Sequence, residues 1–341
     1  MNELPQGDTY NRLSSAPARR RMLKAAVLAP VLTGLGAHGA QAGTVRPANA
    51  PQHELVQPVP TTEAFWQPVA KVLGRPGSLL RKTVYRTRFP RGDLHVVSHH
   101  VTVSPGLALG SHIAFLRYSD GSVMTMGDLT LAERELQHVS DALQAHGIEQ
   151  TALHKHLLAH SPDIWWTHFH GHGHDPVSLA RGLRTAMDLT ASPPATPPTQ
   201  PAPLDLDTAG IDAALGVKGS NDGGTYKSAF MRRETITDNG MVLPPGLGST
   251  TAFNFQPLGG GRAALSGDFA MIADEVQGVL KVLRRGGIDL VELHNHGLRE
   301  KPRLFYIHLW AVGDAVRLAK ALRPAVVITN VAPADSERDP L

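Results

Sequence analysis

The chain has no cysteine among its 341 residues, which excludes disulfides, thiolate metal sites, iron–sulfur clusters, a cysteine nucleophile and a lipid-modified N-terminal cysteine. It has little net charge. Lys and Arg total 33 against 30 Asp and Glu, and much of the formal +3 sits in the first forty residues, too weak a field for a nucleic-acid binder. It has no apolar run long enough for a bilayer: residues 25–37 are apolar but interrupted by Pro30, Gly34 and Gly36, where about 20 apolar residues would be needed. Familiar catalytic motifs are missing as well, with no G-x-S-x-G elbow, Walker A loop, strand-led G-x-G-x-x-G or H-E-x-x-H helix. What stands out instead is histidine, at 18 residues, in a chain whose 42% apolar content suffices for about two domains with real cores.

The N-terminus reads as an address. Arg19 and Arg20 open the sequence RRRMLK, the apolar run follows, and Ala40-Gln41-Ala42 supplies a small-x-small cleavage pattern. Residues 1–42 are therefore expected to be a twin-arginine signal peptide, cut after Ala42 by an export route that carries folded proteins. The mature chain is expected to be periplasmic or secreted, without a stable membrane span, and the twin-arginine export machinery is an expected partner. Residues 43–60 read as a Pro-rich tether. A second break, residues 191–203, carries six prolines between Ser192 and Pro203 and forms neither helix nor ladder. It separates repeat 1 (61–190) from repeat 2 (204–330), with a C-terminal tail at 331–341.

The two halves are copies. Residues 127–168 lie over residues 267–308 at a constant offset of 140 without a gap, with 14 identities in 42 positions. Within each copy the hydrophobic period changes in a readable order. A hairpin at Asp120-Gly121 leads to a helix with Thr130 and Glu133 at capping-box spacing and Leu136, Val139 and Leu143 along one face. Gly147, or Gly287 in the second copy, ends it. Two strands follow, 149–158 and 164–170, turning about Pro162, and a last helix starts at Asp175-Pro176 or Asp314. This order predicts an α+β fold of two tandem repeats, each a mixed or antiparallel sheet with two helices packed on one face.

His154 and His156 are two apart, so an extended strand points both the same way. A hairpin centred on Pro162 sets His156 opposite His168 and His154 opposite His170; in the second copy it sets His296 opposite His308 and His294 opposite Trp310. Imidazoles gathered from two strands suit a divalent transition metal such as zinc, iron or copper, each ring giving one nitrogen while its other nitrogen is steered by an acceptor. Asp128 and Asp268, just before the first helix of each copy, are candidate steering carboxylates or helix-entry residues acting on the dipole. Any chemistry would be metal-assisted. Two other readings stay open. In one, Trp166, Tyr306 and Trp310 with histidine hydrogen bonds make a non-catalytic face that grips cell-wall glycan or peptide. In the other, the faces of the two repeats are buried against each other as a purely structural core.

The segments TALHKHLLAHSPDIWWTHFHGHGHDP and VELHNHGLREKPRLFYIHLWAVGD, each preceded by a helix led by Gly-Asp, resemble the duplicated domain of the LppY/LpqO family of exported bacterial proteins. The resemblance covers nearly all of the chain after Gly43. It implies an envelope location and carries no established activity, although some members bear a peptidoglycan-binding label. The mycobacterial members are lipoproteins held by an N-terminal cysteine, which this chain lacks, so the resemblance implies a free periplasmic protein.

Overall fold

A computed structural model describes residues 54–196 and 203–334. The signal segment with Arg19, Arg20 and Ala42, and most of the tether, lie outside the described residues. Repeat 1 runs β1 (Pro58–Val59), α1 (Glu63–Leu73), β2 (Ser78–Leu80), β3 (Val84–Pro90), β4 (Val97–Ser98), β5 (Val101–Thr102), β6 (Gly110–Tyr118), β7 (Val123–Ala132), α2 (Glu133–Ala145), β8 (Glu149–His154), β9 (His160–Ser161), β10 (Ile164–Gly173) and α3 (Pro176–Asp188). Repeat 2 runs α4 (Thr208–Leu215), β11 (Ser220–Asp222), β12 (Thr225–Arg232), β13 (Ile236–Asp238), β14 (Met241–Leu243), β15 (Thr250–Gly259), β16 (Arg262–Met271), α5 (Ala273–Arg285), β17 (Asp289–His294), β18 (Glu300–Lys301), β19 (Phe305–Asp314), α6 (Ala315–Val327) and β20 (Val331–Pro333).

The expected α+β class is corrected to a mostly β-sheet fold. Strands take 41% of the described residues and helices 26%, and each repeat is built on a large antiparallel sheet of seven strands. The first has the order β2-β3-β6-β7-β10-β8 with β1 also on β6; the second has β11-β12-β15-β16-β19-β17 with β20 also on β12. Two small three-stranded sheets, β5-β4-β9 and β14-β13-β18, complete the strand set among the described residues. The extra strands come from segments whose alternation is masked by small polar residues at buried positions, Thr87 on β3 and Thr225 and Ser228 on β12. Two segments read as tether and tail also join sheets. Pro58–Val59 pairs with β6, and Val331–Pro333 pairs with β12.

Two helices escaped the sequence reading although their signals are present. In α1, Trp66, Val69, Ala70 and Leu73 recur at helical spacing and are buried, Thr62 caps the start, and Gly74 takes a positive φ of 69° at the end. The expected entry to α2 is shifted by two residues. Thr130 belongs to β7, and Glu135 folds back to accept the Ala132 backbone N–H at 2.9 Å, as Glu275 does for Ile272 at 2.9 Å. Glu135 also receives Arg91, which is fully buried and 2.8 Å away; Arg232 and Glu275 repeat that pair. Breaking such a pair by removing one partner typically costs about 3–5 kcal/mol. Asp175 and Asp314 cap α3 and α6 as expected.

Apolar residues of α2 and α3 share one cluster with Ile113, Phe115, Leu129 and Phe169; those of α4, α5 and α6 share another with Phe253, Leu265, Phe269 and Leu309. The opposite faces of the two sheets meet each other. Ala114, Leu116 and Met126 of the first sheet cluster with Ala270 and Tyr306 of the second, and Ala132 and Trp166 cluster with Ala264 and Trp310. The face that carries the histidines is thus an internal seam between the repeats rather than a solvated surface.

Candidate metal centre

β7 and β10 pair so that Asp128 stands opposite His168, and β16 and β19 set Asp268 opposite His308. The outer strands do not pair as a tight hairpin would require. Trp166 stands opposite His154, and Tyr306 opposite His294, a displacement of four residues from the expected register. β8 ends at His154, and the chain then detours through β9, which pairs with β4, before returning as β10. Because the displacement is even, the strand histidines keep their face, while His156 and His296 lie just past the strand ends. Their rings are held by stacking. His156 lies on Trp166 with centroids 4.5 Å apart, and His296 lies on Tyr306 at 3.3 Å.

Those aromatics are therefore floors, not a gripping surface. Trp166, Tyr306 and Trp310 are no more than 2% exposed. Trp166 Nε1 donates to the Ala108 carbonyl at 3.1 Å and the Tyr306 hydroxyl donates to the Gly248 carbonyl, equivalent bonds in the two copies. The expected alternative, in which these three rings bind glycan, is corrected by their burial. Leu153 and Leu293, on the outer strands β8 and β17, are exposed.

Six histidines, three from each repeat, converge in the seam. The pattern crosses between copies: His156 meets His308 and His168 meets His296, each with centroids 3.9 Å apart, while His154 and His294 stack on each other at 4.1 Å. Among the described residues, two trios have ligand nitrogens that all lie within 4.8 Å of one another: His154, His156 and His308, and His154, His168 and His294. Each trio draws on both repeats. His154 Nε2 and His156 Nε2 are 2.9 Å apart, close to the roughly 3.3 Å that separates two nitrogens on a tetrahedral ion with bonds of about 2.0–2.1 Å. His170, expected in the set, does not join it. Its Nδ1 contacts Asp238 at 2.9 Å on β13.

The hydrogen bonds decide which nitrogen is available. His168 Nδ1 lies 3.2 Å from the Gly127 carbonyl, His308 Nδ1 lies 3.3 Å from the Gly267 carbonyl, and His294 Nδ1 lies 3.4 Å from the Glu292 carbonyl. A carbonyl only accepts, so each Nδ1 carries the proton and each Nε2 presents a lone pair. The Nε2 atoms of His168, His294, His296 and His308 are buried without a hydrogen-bond partner. Asp128 Oδ2 lies 3.2 Å from His156 Nε2, the same nitrogen that faces His154 Nε2, so its carboxyl stands among the candidate ligand atoms and not behind the ring where a steering group acts. Asp268 instead accepts the Ala252 backbone N–H at 3.3 Å.

Burial, reinforced by neighbouring imidazoles, lowers all six histidines: His168 falls to about 4 and His294 to about 2, with His154, His156, His296 and His308 well below their ordinary value. The rings are neutral, the form a metal needs. Burial also raises the two carboxyls, Asp268 to about 7, with the nearby Asp128 adding to the rise. Glycine at 127 and 267 is required by the close approach of β6 and β15, since a Cβ would lie 2.1 Å from the His112 carbonyl or 2.2 Å from the Ala252 carbonyl. The Gly-Asp pair thus supplies a close strand crossing, a carbonyl for the third histidine and a carboxylate in two consecutive residues.

His112, Arg86 and Lys227 were not singled out in the sequence. They line a cavity of about 230 Å³ that also reaches His168, His296 and Asp268. His112 lies opposite Asp128 on β6 and is lowered well below its ordinary value by burial. Its period-2 position on a strand next to the Gly-Asp pair was the available signal. The described residues include no helix long and apolar enough to cross a membrane.

Comparison with known proteins adds the following. The family described as Domain of Unknown Function (DUF1259) matches residues 67–189 and again residues 209–327, nearly all of each repeat. No curated protein matches the chain at a significant level. Among solved structures, a trimeric bacterial microcompartment shell protein, PduB, is 13% identical over 72% of this chain and 86% of its own, with a TM-score of 0.17. A double-ringed trimeric shell protein of the RMM microcompartment is 12% identical over 61% of this chain and 83% of its own, also with a TM-score of 0.17.

Proposed function

From the premise that this chain belongs to the DUF1259 family, whose description assigns no activity, we propose a function read from the site: the protein binds one divalent transition metal ion in the seam between its repeats. The observation that supports this most directly is that the buried Nε2 atoms of His168, His294 and His308 have no hydrogen-bond partner and each belongs to a trio drawn from both repeats. Leaving even one buried polar atom unpaired costs about 1–3 kcal/mol, and a purely structural core would have replaced these rings with apolar ones at no loss. An ion satisfies several of them at once. Neutral imidazoles with carbonyl-fixed tautomers are the ligands preferred by zinc, iron(II) and copper(II). A bound ion there would act as a Lewis acid, and Asp268, half-buried in the cavity wall, is placed to hold a proton.

The test is elemental analysis of tag-free protein after gentle purification, together with melting curves before and after a chelator. About one ion per chain is expected, with melting temperature falling on chelation and recovering on readdition. Absence of metal, combined with no thermal response to added zinc, iron or copper, overturns the proposal.

The same reading places the centre in an exported chain. The twin-arginine pattern at Arg19 and Arg20 and the Leu-His-x-His frame shared with the LppY/LpqO family support it. Sequencing the N-terminus of protein recovered from the cell envelope should find Gly43 first. A start at Met1 would refute cleavage.

A further inference from the structure

The two halves of the histidine cluster are related by the repeat, but their surroundings are not. On one side the seam opens into the cavity of about 230 Å³, reached by His168, His296 and Asp268. That volume is below the roughly 300–1,000 Å³ of drug-sized ligand sites, so it suits a small molecule. Most of its wall is apolar, including Leu80, Val84, Met126 and Leu247. Its charges are unequal in sign. Arg81, Arg86 and Lys227 line it, and among the described residues Asp268 is the one carboxylic side chain in the wall.

The strand order separates the two ends. Arg86 on β3 stands opposite Ala114 on β6, and Ala114 stands opposite Met126 on β7, before β10 brings His168. Arg86 therefore belongs to a strand three positions from the histidine strand, about 14 Å at the usual inter-strand spacing. In the second sheet Lys227 on β12 stands opposite Asn254 on β15, again away from β19 and its His308. Cations stand at one end and the His168 and His296 imidazoles at the other, with the apolar side chains and His112, Thr250 and Asn254 completing the wall.

We propose that this cavity binds a small organic carboxylate with an apolar body, its anionic group toward Arg86 and Lys227 and its other end toward His168 and His296. The inference rests on the metal-centre reading for what happens at the histidine end; the anion site itself does not need the ion. Lys227 also bonds to Asp222 at 2.9 Å, which Arg88 shares, so the carboxylate of Asp222 is already neutralised by Arg88 when a ligand carboxylate approaches Lys227. A phosphate would leave the apolar wall unused and an amine would meet like charge, so an aliphatic or aromatic monocarboxylate is the chemistry that uses the cationic end and the apolar wall together.

The probes are hexanoate, hexanol, hexylamine and inorganic phosphate, titrated calorimetrically into full-length protein in its zinc-loaded and chelator-treated forms. Hexanoate is expected to bind saturably to both forms, at least tenfold tighter than the other three. Lys227→Gln and Arg86→Gln should each weaken hexanoate at least tenfold while zinc stoichiometry stays unchanged, with circular dichroism and melting reported for each. Equal binding of hexanol, hexylamine or phosphate overturns the proposal, as does unchanged hexanoate affinity in both variants. If zinc binds but hexanoate does not, this inference fails and the metal centre stands. If hexanoate binds and zinc does not, the metal reading fails and the anion site stands.

Discussion

Replacing His154 with alanine tests the centre most sharply, because His154 is the one residue common to both trios. Structural zinc sites with four ligands bind with about 10–16 kcal/mol, so each ligand carries about 2.5–4 kcal/mol. At about 1.4 kcal/mol per tenfold, loss of one imidazole weakens the ion by about 100- to 1,000-fold. With zinc at 100 times the wild-type Kd, binding stabilises the fold by about 2.7 kcal/mol; a 100-fold loss leaves about 0.4 kcal/mol. For a chain of this size about 2–4 °C accompanies each kcal/mol, so a zinc-dependent shift of about 5–11 °C should shrink to about 1–2 °C. The assay is the difference between melting temperatures with and without zinc, so that any change in metal-free stability cancels. His170→Ala is the control, since His170 pairs with Asp238 outside the cluster and should keep the full shift. If H154A keeps the shift, or H170A loses it equally, the assignment of ligands is wrong.

Three further outcomes follow from the same geometry. Asp128→Asn should lower zinc affinity at least tenfold in competition with a chromogenic chelator, because it removes a carboxyl that stands 3.2 Å from His156 Nε2, among the candidate ligand atoms; unchanged affinity would remove Asp128 from the site. Gly127→Ala should cost about 3 kcal/mol or more in chemical denaturation, since the new methyl meets the His112 carbonyl at 2.1 Å and the Phe169 ring at 2.9 Å, and neither can withdraw without opening the ladder; a loss under 1 kcal/mol would contradict the packing. The metal-free chain should lose stability as pH falls from about 6.5 toward 4. In that window the unfolded chain takes up protons that buried His168, held at about 4, refuses, while Asp268, raised to about 7, contributes the opposite slope. Melting curves at pH 7, 5.5 and 4.5 should therefore fall more steeply for the wild type than for His168→Gln, and parallel curves would refute it.

Much of this was legible along the chain. The 140-residue offset carries the duplication, and the period of two places His154, His168, His294 and His308 on one side of their strands, so that even a register displaced by four leaves the parity intact. Asp175, Asp314, Gly147 and Gly287 marked their helix ends because capping is a local matter of side-chain reach and backbone angle. The entry to α2 was misplaced by two residues because Glu133 and Glu135 offer the same chemistry and only the Arg91 guanidinium selects Glu135. The strand share was underestimated for a comparable reason, buried Thr and Ser looking like loop residues in a linear reading.

Local sequence determined the modules, their strands' facing and the residue types at the site. Only the tertiary structure decided that the histidine faces are sealed against each other, that His156 reaches His308 and His296 reaches His168 across the seam, and that Trp166 and Tyr306 serve as floors. The physical reason is that periodicity acts within a few residues, whereas which copy completes a trio depends on how two whole sheets dock. That docking is set by summed apolar contacts between the copies, from Ala114 and Met126 to Ala270 and Tyr306, and no short stretch of the chain encodes it.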